Sequence, residues 1–428
     1  MTHAHRSPLS FASIAVHADD YLAELDPTGP VAPAISVSTT FRHPPSYNDW
    51  PRNPDHVPSD PHEPVQHIYS RDSSPIIERV EVVVAALESA YPSDSPGGSA
   101  NTLPPKAYAV SYGSGLNAVH AMLVFYQPKR IIKSRAGYFG SEAAARTYQR
   151  GRDVEILYLD TIETASGIYR KYESRPRDLV LLESPMNPTN DVEDLEWWTS
   201  RRVPGAFVAI DGTFAPPPLQ FPLRHGIDIV MHSTTKYMGG HSDLMGGVLV
   251  VTDPKAALGL REDRTNNGWQ PGSLESSLLL RSLRSLPLRV TRQSATATKL
   301  AAWLSGADAR AGDEEALSVV DKVLHTSVPG TKGHEVASKY LVGGHAACFA
   351  VVFKNAHYAR LAVLKMRLFA NATSLGGVES LAEWRHAVDP NTIPELVRLS
   401  VGLEEFEDLQ EDLRSAFVEV KAETDKVV

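Results

Sequence analysis

Between residues 67 and 255 the chain alternates short apolar, β-rich runs with amphipathic stretches, and that alternation leaves few folds open. KAYAVSYG, RIIKSRA, VEILYLD, DLVLLES, AFVAID, DIVMHST and GGVLVV read as strands. IERVEVVVAALESA, LNAVHAMLVFY, EAAARTYQR and LEWWTSRRV read as helices before or between them. Strands this apolar are buried on both faces, so the pattern predicts βα units and a mostly parallel α/β sheet covered by helices on each side. Ligands of such sheets bind beyond the carboxyl ends of the strands.

The flanking segments differ in texture. Residues 26 to 66 are rich in proline and predict an extended arm, so residues 1–66 are read as an N-terminal arm that packs on something else. Residues 67–255 are then the large α/β domain. SDSPGGSANTLPP reads as a surface loop inside it. From about residue 256 a long helical stretch, ESSLLLRSLRSLPLRVTRQSATATKLAAWL, precedes a strand (HAACFAVVF), a helix around 356 to 368 and a final helix, FEDLQEDLRSAFVEV. Residues 256–428 therefore read as a smaller α+β domain.

Charge and cysteine content narrow the function classes. With 42 Lys and Arg against 51 Asp and Glu, the net charge of −9 offers no field for nucleic acid or an anionic membrane. Cys348 is the one cysteine, so no internal disulfide is available, and it reads as a buried strand residue in a reducing compartment. No apolar run approaches the roughly 18 residues of a membrane span, and the first residues lack the apolar core of a secretion signal. The expected location is the cytoplasm.

Three segments carry chemistry. In YGSGLNA, Gly113, Gly115 and Ala118 satisfy G-x-G-x-x-A, but Lys133, Ser134 and Arg135 stand where a dinucleotide site wants an acid. What remains is a small-residue turn whose N–H groups, at a helix start, suit a phosphate or simply a tight turn. In VAIDGTF an apolar strand delivers Asp211 to its carboxyl end, where it either meets a ligand or caps the next turn. In DIVMHSTTKYMGGHSDLMGG a strand runs into Ser233, Thr235 and Lys236 at the rim of the sheet. Burial lowers an amine's pKa and makes it a Schiff-base nucleophile, while the hydroxyls suit phosphate oxygens. His232 and His241 have no carboxylate at ligand spacing, so no metal site is expected. A phosphate cradle, an acid at a strand end and an imine-forming lysine together fit pyridoxal 5′-phosphate, with Asp211 on the pyridine nitrogen.

The motifs FASIAVHADD, TGPVAPAISVSTTF, YSRDSSP, GYFGSEA, LLESPMNPT, AIDGTF, HSTTKYMGGHSDLMGG, SLGGVESL and VRLSVGLEEFEDLQEDL resemble, in order and over nearly the whole chain, the Cys/Met-metabolism family of pyridoxal-phosphate enzymes. This is the cystathionine γ-synthase-like group of fold type I. The resemblance implies a large domain with a seven-stranded, mostly parallel sheet and a smaller C-terminal α+β domain. It also implies that Lys236 forms the imine and shuttles protons, and that Asp211, with Thr213 beside it, binds the pyridine nitrogen. Ser114, Gly115, Leu116, Ser233 and Thr235 would bind phosphate. Tyr138 would stack on the ring, Asn187 contact its 3-oxygen, and Arg398 clamp the substrate α-carboxylate with Ser374 alongside. Tyr69 and Arg71 would reach the phosphate of a neighbouring subunit in a homotetramer whose sites lie at dimer interfaces.

Departures from the family pattern bear on the reaction. Phe139 replaces a glycine in Y-G-G-T, Gly212 replaces the asparagine of D-N-T, and Thr373 stands where many γ-synthases and γ-lyases have glutamate. The segment VESLAEWRHAVDP, with its EWR, resembles a fungal branch tied to secondary metabolism. That branch joins a fragment of O-acetylhomoserine to carbon or nitrogen nucleophiles. The expected activity is therefore γ-replacement on O-acetyl-L-homoserine through a vinylglycine-type intermediate, with a β-keto acid or ester favoured as acceptor. The alternatives are a cystathionine γ-synthase using cysteine and a γ- or β-lyase of cystathionine or methionine.

Overall fold

A computed structural model describes residues 9–23, 31–43, 61, 67–90, 105–159, 172–331 and 333–425. Most of the predicted arm and of the loop between 91 and 105 lies outside these residues.

Seven strands form the first sheet: β1 (Tyr108–Tyr112), β2 (Arg130–Lys133), β3 (Glu155–Tyr158), β4 (Asp178–Glu183), β5 (Phe207–Asp211), β6 (Ile229–His232) and β7 (Gly247–Val251). Their order is β1-β7-β6-β5-β4-β2-β3, and only β7 runs antiparallel to its neighbours. All seven coincide with the apolar runs of the sequence, because strands covered on both faces carry few polar residues to interrupt them. Successive side chains go to opposite cores. Val110, Ile131, Leu181 and Leu249 pack under the helices Gly115–Tyr126, Phe139–Gln149 and Pro254–Asn267. Ala109, Ile132, Leu182 and Val250 join a core that continues into the C-terminal half.

The second sheet, in order β10-β11-β12-β9-β8, contains β8 (Val320–Leu324), β9 (Cys348–Phe353), β10 (Ala370–Asn371), β11 (Leu381–Trp384) and β12 (Leu396–Ser400). Its pairs are antiparallel except β10 with β11. The helices Leu286–Leu304, Ala356–Lys365 and Phe406–Asp425 cover it. The long helical stretch predicted over 275–304 is two helices, Ser273–Leu283 and Leu286–Leu304. Pro287, in the first turn of the second, has no N–H to continue the first and its fixed φ suits a new start.

A buried ion cluster anchors the site's floor. Glu81, on the helix Pro75–Ser89, accepts from Arg264 at 2.5 Å, from Arg261 at 2.8 Å, and from the N–H and hydroxyl of Ser111 at 2.9 Å each. Ser111 lies on β1, three residues before the Ser114 cap. Helix, strand and glycine-rich turn are thereby held in one register.

Candidate active site

The carboxyl ends of the parallel strands and the facing edge of the second sheet supply the polar groups, which form one continuous chain of contacts. Lys236 sits in a turn after β6 and donates from Nζ to Ser374 Oγ at 2.9 Å. Arg398, on β12, donates from Nη2 to the Ser374 carbonyl at 2.9 Å and from Nη1 to Asn187 Oδ1 at 3.2 Å. The Asn187 N–H reaches Glu183 Oε1 at 2.8 Å, while Glu183 Oε2 accepts the Tyr138 N–H at 2.7 Å. Glu183 is the register partner of Asp211 across β4 and β5.

From Asp211 the chain of contacts continues to the glycine-rich turn. Asp211 Oδ1 accepts the Thr213 N–H at 3.0 Å, and Thr213 Oγ1 accepts the Ser233 N–H at 2.9 Å. A Cβ on Gly115 would stand 3.0 Å from the Ser233 Cβ, tighter than ordinary contact, so glycine there lets the turn after β1 and the end of β6 close on each other undisturbed. Ser114 caps the helix Gly115–Tyr126, its Oγ accepting from the Asn117 N–H at 3.1 Å. Small residues at a helix start leave N–H groups open to an anion.

Electrostatics follow the burial. Burial first, then the Arg398 guanidinium, hold the Lys236 amine below its ordinary pKa. Burial raises the Asp211 carboxyl, and burial together with the charge of Asp211 pushes Glu183 up to about 8. The Tyr138 phenol is raised by burial and by the same two carboxylates. Ser374 holds φ at 91°, a conformation that costs a non-glycine residue on the order of 1–3 kcal/mol. That strain keeps its hydroxyl under Lys236 and its carbonyl under Arg398.

Behind Arg398 lies a carboxylate that the sequence marks only as part of EWR, with no role assigned to it. Glu383 of β11 is the register partner of Arg398, and its Oε2 lies 2.9 Å from Arg398 Nη2 and 2.5 Å from Arg385 Nη1. All three are buried. Glu183 was also given no role, although it ends an apolar strand just as Asp211 does, and that signal was available.

Other expected site residues stand outside this chain of contacts. Thr235 Oγ1 is engaged by the Gly246 N–H at 3.0 Å. The Leu116 side chain is exposed, and a Cβ on Gly140 would be 2.9 Å from its Cδ2. Tyr69 and Arg71 are not joined to this chain of contacts: Arg71 Nη1 donates to the Thr265 carbonyl at 3.4 Å and stacks on Tyr69 at 5.7 Å. His232 pairs with buried Glu88 at 2.6 Å, and His241 Nδ1 meets the Gly239 carbonyl at 2.8 Å.

These residues fit pyridoxal phosphate. The crevice has a buried carboxylate for a protonated ring nitrogen, a cradle too narrow for a Cβ at its phosphate end, and a primary amine of lowered basicity held by Ser374. Sheet and crevice together define a fold type I pyridoxal-phosphate enzyme. Comparison with known proteins makes the class specific. Residues 12–418 match the family described as Cys/Met metabolism PLP-dependent enzyme, and the chain belongs to it. It is 32% identical over 370 residues to cystathionine β-lyase of Lactococcus lactis subsp. cremoris, covering 83% of this chain and 89% of that protein. It is 32% identical over 373 residues to cystathionine γ-synthase of Escherichia coli strain K12, covering 83% and 88%. Among solved structures it resembles cystathionine γ-synthase of Xanthomonas oryzae pv. oryzae in complex with aminoacrylate and cysteine, with a TM-score of 0.78, 26% identity and coverage of 97% and 100%. Relatives of similar identity thus include both a lyase and a synthase, so similarity alone assigns the enzyme class and not the reaction. Among the described residues no helix is long and apolar enough to cross a membrane.

Proposed function

We propose that the chain catalyses γ-replacement on O-acetyl-L-homoserine: the Cγ–O bond breaks, acetate leaves, and a bond forms between Cγ and a nucleophilic carbon that gives up a proton, such as the α-carbon of a β-keto acid or ester. The observation that carries the reading is the Lys236–Ser374–Arg398 contact. It sets a weakly basic amine beside the guanidinium suited to an α-carboxylate.

Bound pyridoxal phosphate supplies an aldehyde for imine formation and an electron-withdrawing ring that acidifies the protons of the attached amino acid. Arg398 binds the α-carboxylate in a planar, two-point grip that fixes Cα toward Lys236. Lys236, released to its neutral form, takes the proton from Cα and then serves Cβ. Ser374 accepts from its Nζ and holds that amine in place between the two transfers. Asp211 keeps a counter-charge for the ring nitrogen, and Asn187, between Glu183 and Arg398, faces the ring oxygen. Ser114, Gly115, Leu116, Ser233 and Thr235 serve the phosphate, while Tyr138 covers the ring.

Carbon as nucleophile is supported by Thr373 and Phe139. Neither offers a carboxylate to the ammonium of cysteine, and leaving that ammonium unpaired in a desolvated pocket is costly. The activities for which the relatives are named favour a second reading, formation or cleavage of cystathionine. The reading includes a cofactor-binding large domain, a C-terminal domain bearing Arg398, and a cytoplasmic homotetramer in which Tyr69 and Arg71 complete a neighbour's phosphate site. The test is mass spectrometry of products from O-acetyl-L-homoserine incubated with thiols, amines and β-keto acids. An acceptor-dependent adduct, absent in Lys236→Ala, is expected. A 2-oxo acid and ammonia formed whatever the acceptor would make the protein a lyase.

A further inference from the structure

Beside Phe139 a cavity of about 620 Å³ is lined by residues that follow β2 and β4 and by residues of β8 and β12. Phe139, Pro188, Ile393 and Leu396 give it apolar walls. Its charged lining is uneven: Arg135, Arg146, Lys322 and Arg385 against Glu142 and Asp389. Both acids are already engaged. Glu142 is held by Lys133 at 3.1 Å and Arg146 at 2.7 Å, and Asp389 accepts from the Asn391 N–H at 3.1 Å and its Nδ2 at 3.0 Å.

Two polar groups in its wall are under-satisfied. Arg385 is 4% exposed and its Nε has no hydrogen-bond partner, and the buried Thr189 hydroxyl has none. Buried donors in native proteins are nearly always paired, so both await an acceptor. Arg385 also shares the single Glu383 carboxylate with Arg398. One negative charge cannot neutralise two guanidiniums, so until an α-carboxylate reaches Arg398 the pair carries a net positive charge.

We infer that this cavity is the acceptor pocket, and that Arg385 with Thr189 selects an acceptor bearing a carboxylate but no ammonium, favouring a β-keto acid over its ester. A carboxylate there would meet a planar guanidinium and a hydroxyl, with Phe139 against the carbon chain. An ammonium would face an excess of cations. The inference rests on the γ-replacement reading and narrows it to one charge class.

The experiment compares acetoacetate with methyl acetoacetate, which share the nucleophilic carbon and differ in charge. Calorimetric titration into the holoenzyme, with saturating L-2-aminobutyrate on Arg398, should show acetoacetate binding about tenfold more tightly or better, the scale of one charge-assisted contact. Arg385→Gln should erase that preference, and Arg385→Lys should restore part of it. In turnover, Arg385→Gln should raise the KM of acetoacetate more than that of O-acetyl-L-homoserine. Equal binding of acid and ester by the wild-type enzyme overturns the inference, as does a preference that survives in a folded Arg385→Gln. If that variant does not fold, the wild-type comparison still decides. Failure of the γ-replacement reading shows separately, as the absence of any acceptor-dependent adduct while the difference in binding persists.

Discussion

Glu183 and Asp211 are register partners on adjacent parallel strands, and both line one cavity of about 20 Å³ at the strand ends. Two carboxyl groups this close and this buried do not both ionise freely, which is why Glu183 is pushed up to about 8. The sign is that of a raised group: the folded, cofactor-free chain keeps a proton that the unfolded chain releases near pH 4.5. The associated stability is present below that pH and is lost as pH rises through about 8. Thermal melts of the cofactor-free protein should therefore show the melting temperature falling over this window, with a shallower fall in Glu183→Gln. Identical slopes would remove Glu183 as the source. Since the variant sets an amide donor against a backbone N–H, it should also bind the cofactor more weakly.

Ser374 joins the amine to the carboxylate clamp, and its two roles separate by substitution. Ser374→Ala and Ser374→Gly both remove the hydroxyl under Lys236. Each should lower kcat about five- to tenfold, the scale of one net hydrogen bond, with the visible band of the bound cofactor intact. Glycine tolerates the φ of 91° and alanine does not, so the glycine variant should be the more stable by about 1 kcal/mol in urea melts. Equal stability would mean that the backbone strain is absent.

Glu81 should control acid stability. Burial raises its carboxyl, but Arg264, Arg261 and the Ser111 N–H outweigh that and lower it from 4.5 to about 2. A depressed carboxyl contributes stability above its unfolded value that is lost as pH falls through the folded one, here from about 4.5 to about 2. The contribution is about 3 kcal/mol. Glu81→Gln leaves buried Arg264 without its counter-ion, so it should lose at least that much at pH 7 and show a flatter acid limb. An unchanged acid transition would contradict this.

The large sheet was legible because its strands are nearly pure apolar runs, and the chemistry was legible because Asp211 ends one of them and Lys236 follows another by four residues. Of the second sheet only β9, within HAACFAVVF, was legible. β8 reads VDKVL, with Asp321 and Lys322 exposed, and β11 reads LAEW with Glu383 in its middle, so neither presents an apolar run or a clean alternation. The helix Pro254–Asn267 was overlooked for a related reason: its buried face holds only Ala256, Ala257 and Leu260, with Arg264 where the next apolar residue would fall. Glu383 and Arg385 stood out only as the EWR of a branch resemblance, with no contact assigned to either, because a charged residue in sequence reads as solvated surface. Only the fold brings Arg398 onto the neighbouring strand to pair with Glu383.

The central claim is that Lys236, Ser374 and Arg398 serve a γ-replacement whose acceptor is carbon. Its most direct test is a competition in one vessel, with O-acetyl-L-homoserine as donor and acetoacetate and L-cysteine both offered to the holoenzyme. The carbon-linked oxo-amino acid and cystathionine are then quantified by mass spectrometry at several acceptor ratios. The account predicts a higher kcat/KM for the carbon acceptor, with acetate released in step with the new C–C bond. A higher kcat/KM for cysteine would make the protein a cystathionine γ-synthase and contradict the reading drawn from Phe139 and Thr373.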